Sequence, residues 1–185
     1  MTNSSKETVF TIDTSSIKFG PGITSEAGYE LSGLGATRVL VVTDPQLASS
    51  PAVQTAIDSL KNANIDYAVF DQVSVEPTAS SLKHAIKFAV EGRFDGFLAV
   101  GGGSSIDTAK AANLYSSYPA DFLEYVNAPI GKGTPVPGDL KPLVAVPTTS
   151  GTGSETTGVA IFDYEELSAK TGIAHRSLRP DVGLV

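Results

Sequence analysis

The feature that most constrains this chain is a change of texture across residues 97–110, where Phe97-Leu98-Ala99-Val100 gives way to Gly101-Gly102-Gly103 and then to Ser104-Ser105-Ile106-Asp107-Thr108-Ala109-Lys110. An apolar run of strand length breaks into three residues without side chains, and Ile106, Ala109, Asn113 and Leu114 follow at helical spacing. The pattern predicts a buried strand, a tight turn and a helix, with Ser104 as N-cap and Asp107 three residues later in a capping-box-like start. Glycines let a backbone come close to a bulky group, and the first N–H groups of a helix carry positive partial charge. A phosphate or diphosphate is the natural occupant of such a corner. A cramped turn followed by an ordinary helix cap uses the same residues, and three glycines without the G-x-G-x-x-G spacing leave both readings open.

The surrounding sequence supplies more of the same units. Ile23, Ala27, Leu31 and Leu34 lie at helical spacing and stop at Gly35, after which Arg38-Val39-Leu40-Val41-Val42 reads as a buried strand ending in Thr43-Asp44-Pro45. A second helix carries Val53, Ala56, Ile57 and Leu60, residues 67–70 form a strand, and a third helix carries Leu82, Ala85, Ile86, Ala89 and Val90 before Gly92. Strands that alternate with helices of these lengths make βαβ units. The expected fold class is therefore α/β, a Rossmann-like parallel sheet with helices on both faces. Residues 8–12 and 16–19, separated by Asp13-Thr14-Ser15, predict a β-hairpin ahead of that repeat. Residues 121–126 predict a short helical piece and residues 142–147 a further strand.

Ligands of such sheets sit beyond the carboxyl ends of the strands, where the strand order reverses. Asp44 and the glycine turn both fall on that edge. An acid there can accept hydrogen bonds from an adenosine ribose and would repel a 2′-phosphate, favouring NAD over NADP. It can equally cap a helix begun near Pro45. The strand at 142–147 opens into Thr148-Thr149-Ser150-Gly151-Thr152-Gly153-Ser154-Glu155-Thr156-Thr157, a run of hydroxyls and glycines with a single charge. Such a segment can offer hydroxyls and backbone N–H groups to a ribose or diphosphate, or it can be a plain polar surface loop.

Composition narrows the partners. With 185 residues, 41% of them hydrophobic and 18% charged, the chain can bury a sizeable core in one domain. A net charge of −7 without any lysine or arginine run argues against nucleic acid and anionic membranes, which leaves a small molecule as the default ligand. The absence of cysteine excludes disulfides and thiolate metal sites. The polar start Met1-Thr2-Asn3-Ser4-Ser5-Lys6-Glu7 is unlike a signal or transit peptide, and no apolar stretch approaches the roughly 20 residues of a membrane span. The expected compartment is the cytoplasm, with a mitochondrial setting open for a eukaryotic chain.

Taken together, Gly101-Gly102-Gly103-Ser104 with Asp107 and Lys110, followed some forty residues on by Pro147-Thr148-Thr149-Ser150-Gly151-Thr152-Gly153-Ser154-Glu155, resemble the iron-containing (group III) alcohol dehydrogenase family. The runs at residues 110–115, 128–133 and 156–164 are most similar to the branch that moves hydride between hydroxy acids and oxo acids. The resemblance covers nearly the whole chain. It implies an N-terminal dinucleotide-binding domain over residues 1–185 and a helical C-terminal domain, absent here, that carries a divalent metal, iron or zinc, on one aspartate and three histidines. The only histidines in this chain are His84 and His175, so no metal ligand and no catalytic residue is assigned in it. The chain alone is expected to be inactive.

Residue by residue, the resemblance places the diphosphate of NAD on Gly101, Gly102, Gly103 and Ser104. It places the adenosine end near Asp44, Thr148, Thr149 and Thr152, with Asp107 near the nicotinamide and Lys170 as a further cofactor contact. Glu76 stands where the family often has asparagine, and a carboxylate cannot donate as an amide does. The implied partners are a hydroxy acid or alcohol substrate, the missing domain, and further copies of the complete chain in a homo-oligomer. Two alternatives remain: a stand-alone nucleotide-binding module without catalysis, and a related dehydrogenase with another metal and substrate. Because the chain stops on the apolar run Val182-Gly183-Leu184-Val185, a truncation is expected there rather than a natural end.

Overall fold

The computed structural model describes residues 14–185. Its elements are β1 (Ser16–Lys18), α1 (Ala27–Gly33), β2 (Arg38–Val42), α2 (Pro51–Asn62), β3 (Asp66–Phe70), α3 (Ala79–Gly92), β4 (Gly96–Gly101), α4 (Gly103–Ser117), β5 (Leu143–Pro147), β6 (Val159–Tyr164), β7 (Ala169–Ala174) and β8 (Val182–Leu184). Short 3-10 turns precede α1, join β6 to β7 and precede β8.

Six strands form one parallel sheet in the order β1-β8-β5-β4-β2-β3. The chain runs outward from β2 to β3, returns to lay β4 on the other side of β2, and continues outward through β5. The order therefore reverses between β2 and β4, and Asp44 and the glycine turn follow those two strands.

The alternation along each strand explains the two layers. Val39, Val41, Leu98, Val100, Val144 and Val146 face one side, where Leu31 of α1 and Val53, Ala56 and Leu60 of α2 cover them. Leu40, Val42, Phe97, Ala99 and Ala145 face the other, against Ala85 and Ala89 of α3 and Ile106, Ala109 and Ala112 of α4. Helix starts are specified locally. Ser50 caps α2 by accepting from the Val53 N–H, with Pro51 at the first helical position, and Thr78 and Ser81 form a reciprocal capping box on α3.

β6 and β7 pair antiparallel as a separate two-stranded sheet, which was not anticipated as a unit. The hairpin lies on the far side of α4. Phe162, Tyr164 and Ile173 pack there with Ala111, Leu114 and Tyr115. Sheet on one side and hairpin on the other leave α4 buried over nearly its whole circumference.

Two local expectations are corrected. Residues 8–12, half of the expected N-terminal hairpin, lie outside the described residues, and the other half is β1, which joins the main sheet parallel to β8 instead of standing outside it. Residues 121–126 form turns and no helix, with a Glu124 N–H to Asp121 carbonyl bond of 2.9 Å and aromatic rings packed around Tyr115. Lys170 lies within β7.

Candidate functional site

The glycine turn at the end of β4 is tighter than its sequence requires. A Cβ on Gly101, whose φ is +156°, would collide with the Ser105 side chain, and one on Gly103 would stand 3.0 Å from Thr152 Cγ2. Helix α4 opens with Gly102 as N-cap in an extended conformation (φ −74°, ψ −172°) and without a side-chain cap bond. The expected N-cap role of Ser104, and the capping box with Asp107, are therefore corrected. Ser104 lies inside the first turn, where its Oγ accepts from the Glu76 N–H at 3.3 Å, and the Asp107 carboxylate is engaged elsewhere. The N–H groups of Gly103 and Ser104 have no acceptor within the helix, and these two residues line two adjoining cavities.

The first cavity, about 440 Å³, is lined by Asp44, Gln46, Gly102, Gly103, Ser105, Thr148 and Thr149 among others. Asp44 Oδ1 accepts from the N–H groups of Gln46 and Leu47 at 2.9 and 3.0 Å, holding its own turn, while Oδ2 has no hydrogen-bond partner among the described residues. The cap of α2 belongs to Ser50, so Asp44 closes a turn and caps no α-helix. Ser105 Oγ, on the wall of this cavity, is buried without a partner, as is Thr43 Oγ1 in the interior just after β2. Buried hydroxyls are normally satisfied, so the Ser105 orphan at a strand-order reversal fits a ligand that supplies the missing bond.

The second cavity, about 400 Å³, shares Gly103 and Ser104 with the first and is lined further by Glu76, Asp107, Thr152, Ser154, Ile161 and Lys170. Asp107 is bound on both oxygens. The Ser154 hydroxyl donates to Oδ1 and the Ile161 N–H to Oδ2 at 3.0 Å. Beneath it lies Lys110, fully buried, whose Nζ donates to Ser154 Oγ at 2.9 Å, to the Val159 carbonyl at 2.8 Å and to Thr157 Oγ1 at 3.3 Å, and stands 3.5 Å from Asp107 Oδ1. Burial pushes the Lys110 ammonium down to about 8, against the opposing pull of Asp107 and Glu155. At the rim Lys170 pairs with Asp163 at 3.0 Å and stays exposed.

All ten residues singled out as cofactor contacts thus lie around one corner: Asp44, Gly102, Gly103, Ser104, Thr148 and Thr149 on the first cavity, Asp107, Thr152 and Lys170 on the second, and Gly101 beneath both. Lys110 and Ser154 were missed as members of one unit. A single charge inside Ala109-Lys110-Ala111-Ala112 was the available signal, since a lysine flanked by alanines on a helix buried all round must find acceptors nearby.

A family model described as iron-containing alcohol dehydrogenase matches residues 14–185. The chain belongs to the iron-containing alcohol dehydrogenase family. Over 177 residues it is 60% identical to the mitochondrial hydroxyacid-oxoacid transhydrogenase of Bos taurus, a match that covers 95% of this chain and 38% of the relative. The chain therefore spans well under half the length of the curated relatives it matches. Among solved structures it is similar to the NADH-dependent butanol dehydrogenase A of Thermotoga maritima, with a TM-score of 0.86, 26% identity, and coverage of 95% of this chain and 44% of that one. It is also similar to a sulfoacetaldehyde reductase of Bifidobacterium kashiwanohense in complex with NAD+, with a TM-score of 0.84, 25% identity, and coverage of 97% and 46%.

The metal that names the iron-containing alcohol dehydrogenase family does not fit the residues present. Among the described residues no three histidine, cysteine or acidic side chains gather into a metal site. His84 is exposed on α3 with its ring edge against Phe70, and His175 Nδ1 accepts from the Ser177 N–H in a local turn. Among the same residues no helix is long and apolar enough to cross a membrane.

Proposed function

We propose that this chain is the NAD-binding part of an oxidoreductase acting on CH–OH groups, most specifically a hydroxyacid-oxoacid transhydrogenase. In that reaction hydride passes from a hydroxy acid such as 4-hydroxybutyrate to the cofactor and then to an oxo acid such as 2-oxoglutarate, giving succinate semialdehyde and 2-hydroxyglutarate. The 60% identity to the cattle enzyme supports this branch over other dehydrogenases of the family. The single observation that carries the cofactor assignment is the side-chain-free start of α4, set between two cavities with the orphaned Ser105 hydroxyl at its base.

When bound, NAD supplies the hydride acceptor and donor. The chain's own residues hold and orient it. The N–H groups at the start of α4 receive the diphosphate, and the free Oδ2 of Asp44 accepts from the adenosine ribose and opposes a 2′-phosphate. Thr148, Thr149 and Thr152 flank the turn with hydroxyls, and Asp107 with Lys170 lines the space left for the other nucleoside. The mitochondrial name of the cattle relative favours that compartment over the cytoplasm, and a homo-oligomer of the complete protein is part of the same proposal.

Calorimetric titration of the protein with NAD+ and NADP+ tests the assignment. Saturable binding of NAD+, tighter than that of NADP+, is expected. Heat from neither dinucleotide overturns the cofactor assignment, and tighter NADP+ binding overturns the role of Asp44.

A further inference from the structure

The unit formed by Lys110, Ser154 and Asp107 has chemistry beyond holding a cofactor in place. Its geometry orders the charges. A protonated lysine has three donors and no acceptor, and the three acceptors within 3.3 Å of Nζ use them all. Ser154 Oγ accepts from Lys110, so its one proton is directed to Asp107. The result is a buried cation and a carboxylate joined through one hydroxyl, with the carboxylate at the cavity wall and the cation behind it.

The cavity that Asp107 lines is the second of the two. With the adenosine on the Asp44 side and the diphosphate on the shared residues Gly103 and Ser104, the nicotinamide nucleoside falls beside Asp107. The oxidised nicotinamide ring is a cation, and hydride, two electrons and one proton, converts it to a neutral ring. A carboxylate facing the ring stabilises the oxidised form selectively, and a cation behind the carboxylate opposes that preference. Both act in a wall shielded from water, where charges are poorly screened.

We propose that Lys110, acting through Ser154 on Asp107, sets the balance between the oxidised and reduced forms of the bound dinucleotide. Lys110 is a positioning residue in this scheme, since it touches Asp107's partner and not the cofactor. The proposal rests on the dinucleotide assignment above. For a protein that takes hydride from one substrate and gives it to another on the same cofactor, such a balance keeps both half-reactions accessible.

The test is a pair of dissociation constants, for NAD+ by calorimetry and for NADH by its fluorescence, measured on the protein and on Lys110→Met and Asp107→Asn. Removing the buried cation is expected to shift the ratio of the two constants about tenfold toward NAD+. That is about 30 mV more negative for the bound two-electron couple. Removing the carboxylate is expected to shift the ratio the other way. A purely structural role for Lys110 would weaken both forms together at constant ratio, and that result overturns the proposal.

If Lys110→Met fails to fold, Asp107→Asn and the unaltered protein carry the test. Charged groups near Lys110 are Asp107 on its own helix and Glu155 in the adjoining segment, and Lys141, Arg176, Arg179, Asp139 and Asp181 line a cavity on its far side. With Lys110 held near 8 by burial, the ratio in the unaltered protein moves toward NAD+ between pH 7 and pH 9. A ratio that stays flat over that range and in Asp107→Asn overturns the proposal. An unaltered protein that binds neither form overturns the dinucleotide assignment instead, which separates the two failures.

Discussion

The two aspartates on either side of the glycine turn make opposite use of the same side chain. Asp44 spends one oxygen on its own turn and leaves the other without a partner at the mouth of a cavity. Asp107 has both oxygens committed, to a serine 47 residues away and a backbone N–H 54 residues away, over a buried lysine. The first is placed by the chain within three residues of a strand end and can exchange its open acceptor for a ligand hydroxyl. The second is placed by tertiary contacts and acts as a fixed charge. Local geometry thus builds one half of the corner, and the packing of α4 against the β6–β7 hairpin builds the other.

Substitution at the point shared by both halves should have the largest effect. Gly103→Val crowds Thr152 and blocks the helix N-terminus, so NAD+ binding measured by calorimetry should weaken about a hundredfold or more, through loss of two charge-assisted bonds. Retention of wild-type affinity would remove the turn from the site altogether.

The Asp107 half should show itself next, in the pH dependence of stability. Lys110 binds its proton less tightly folded, at about 8, than unfolded, at about 10.5, so the unfolded state holds more protons between those values and stability rises with pH there. The stability of the protein in urea, measured relative to that of Lys110→Met, should gain about 2 kcal/mol from pH 8 to pH 10, while buried and hydrogen-bonded tyrosines such as Tyr115 and Tyr164 work against stability in both proteins alike. A stability difference between the two proteins that stays constant from pH 8 to pH 10 would remove Lys110 as the source. The Asp44 half is read by binding instead. Its own test is Asp44→Ala, expected to weaken NAD+ binding about tenfold and NADP+ binding far less, since only the former uses the open oxygen.

The smallest effect concerns the orphaned hydroxyl between the halves. Ser105→Ala should stabilise the unliganded protein by about 1 kcal/mol in urea unfolding, because an unsatisfied buried group is removed. The same variant should bind NAD+ about threefold more weakly. If stability falls instead, Ser105 has no role for a ligand to fill.

The same contrast explains what could be read from the chain. The strands at 38–42 and 96–101, the turn between them in space and the position of Asp44 follow from apolar runs ending in turn residues, a signal contained within a few residues. The helix expected at 121–126 failed because Phe122 stacks on Tyr115 and Tyr125 meets it edge-on, so their spacing does not follow a helical face. The N-cap was misplaced by two residues because Asp107 looked like a capping acid, while its partners come from the distant Ser154 and Ile161. The burial of Lys110 was illegible for the same reason. A lysine on a helix reads as solvated until the element covering it is known, and the alternation at Val159–Tyr164 gave no indication of which helix the hairpin would cover.

The pairing of β1 with β8 joins Ser16 to Val182 and Lys18 to Leu184, nearly the two ends of the described chain. Closing so long a loop is entropically slow, and a parallel pair cannot be nucleated by a short turn. During synthesis β1 is made well before β8 and must wait for the strands and helices between them before its partner exists. The inner strands β2, β3, β4 and β5 can meanwhile assemble from neighbouring βαβ units, with the outward edge of β5 open until β8 arrives. That edge is where a nascent chain would pair with the wrong strand, so β8, which follows the other five strands of this sheet in sequence, also serves as the closure that protects β5 from other copies.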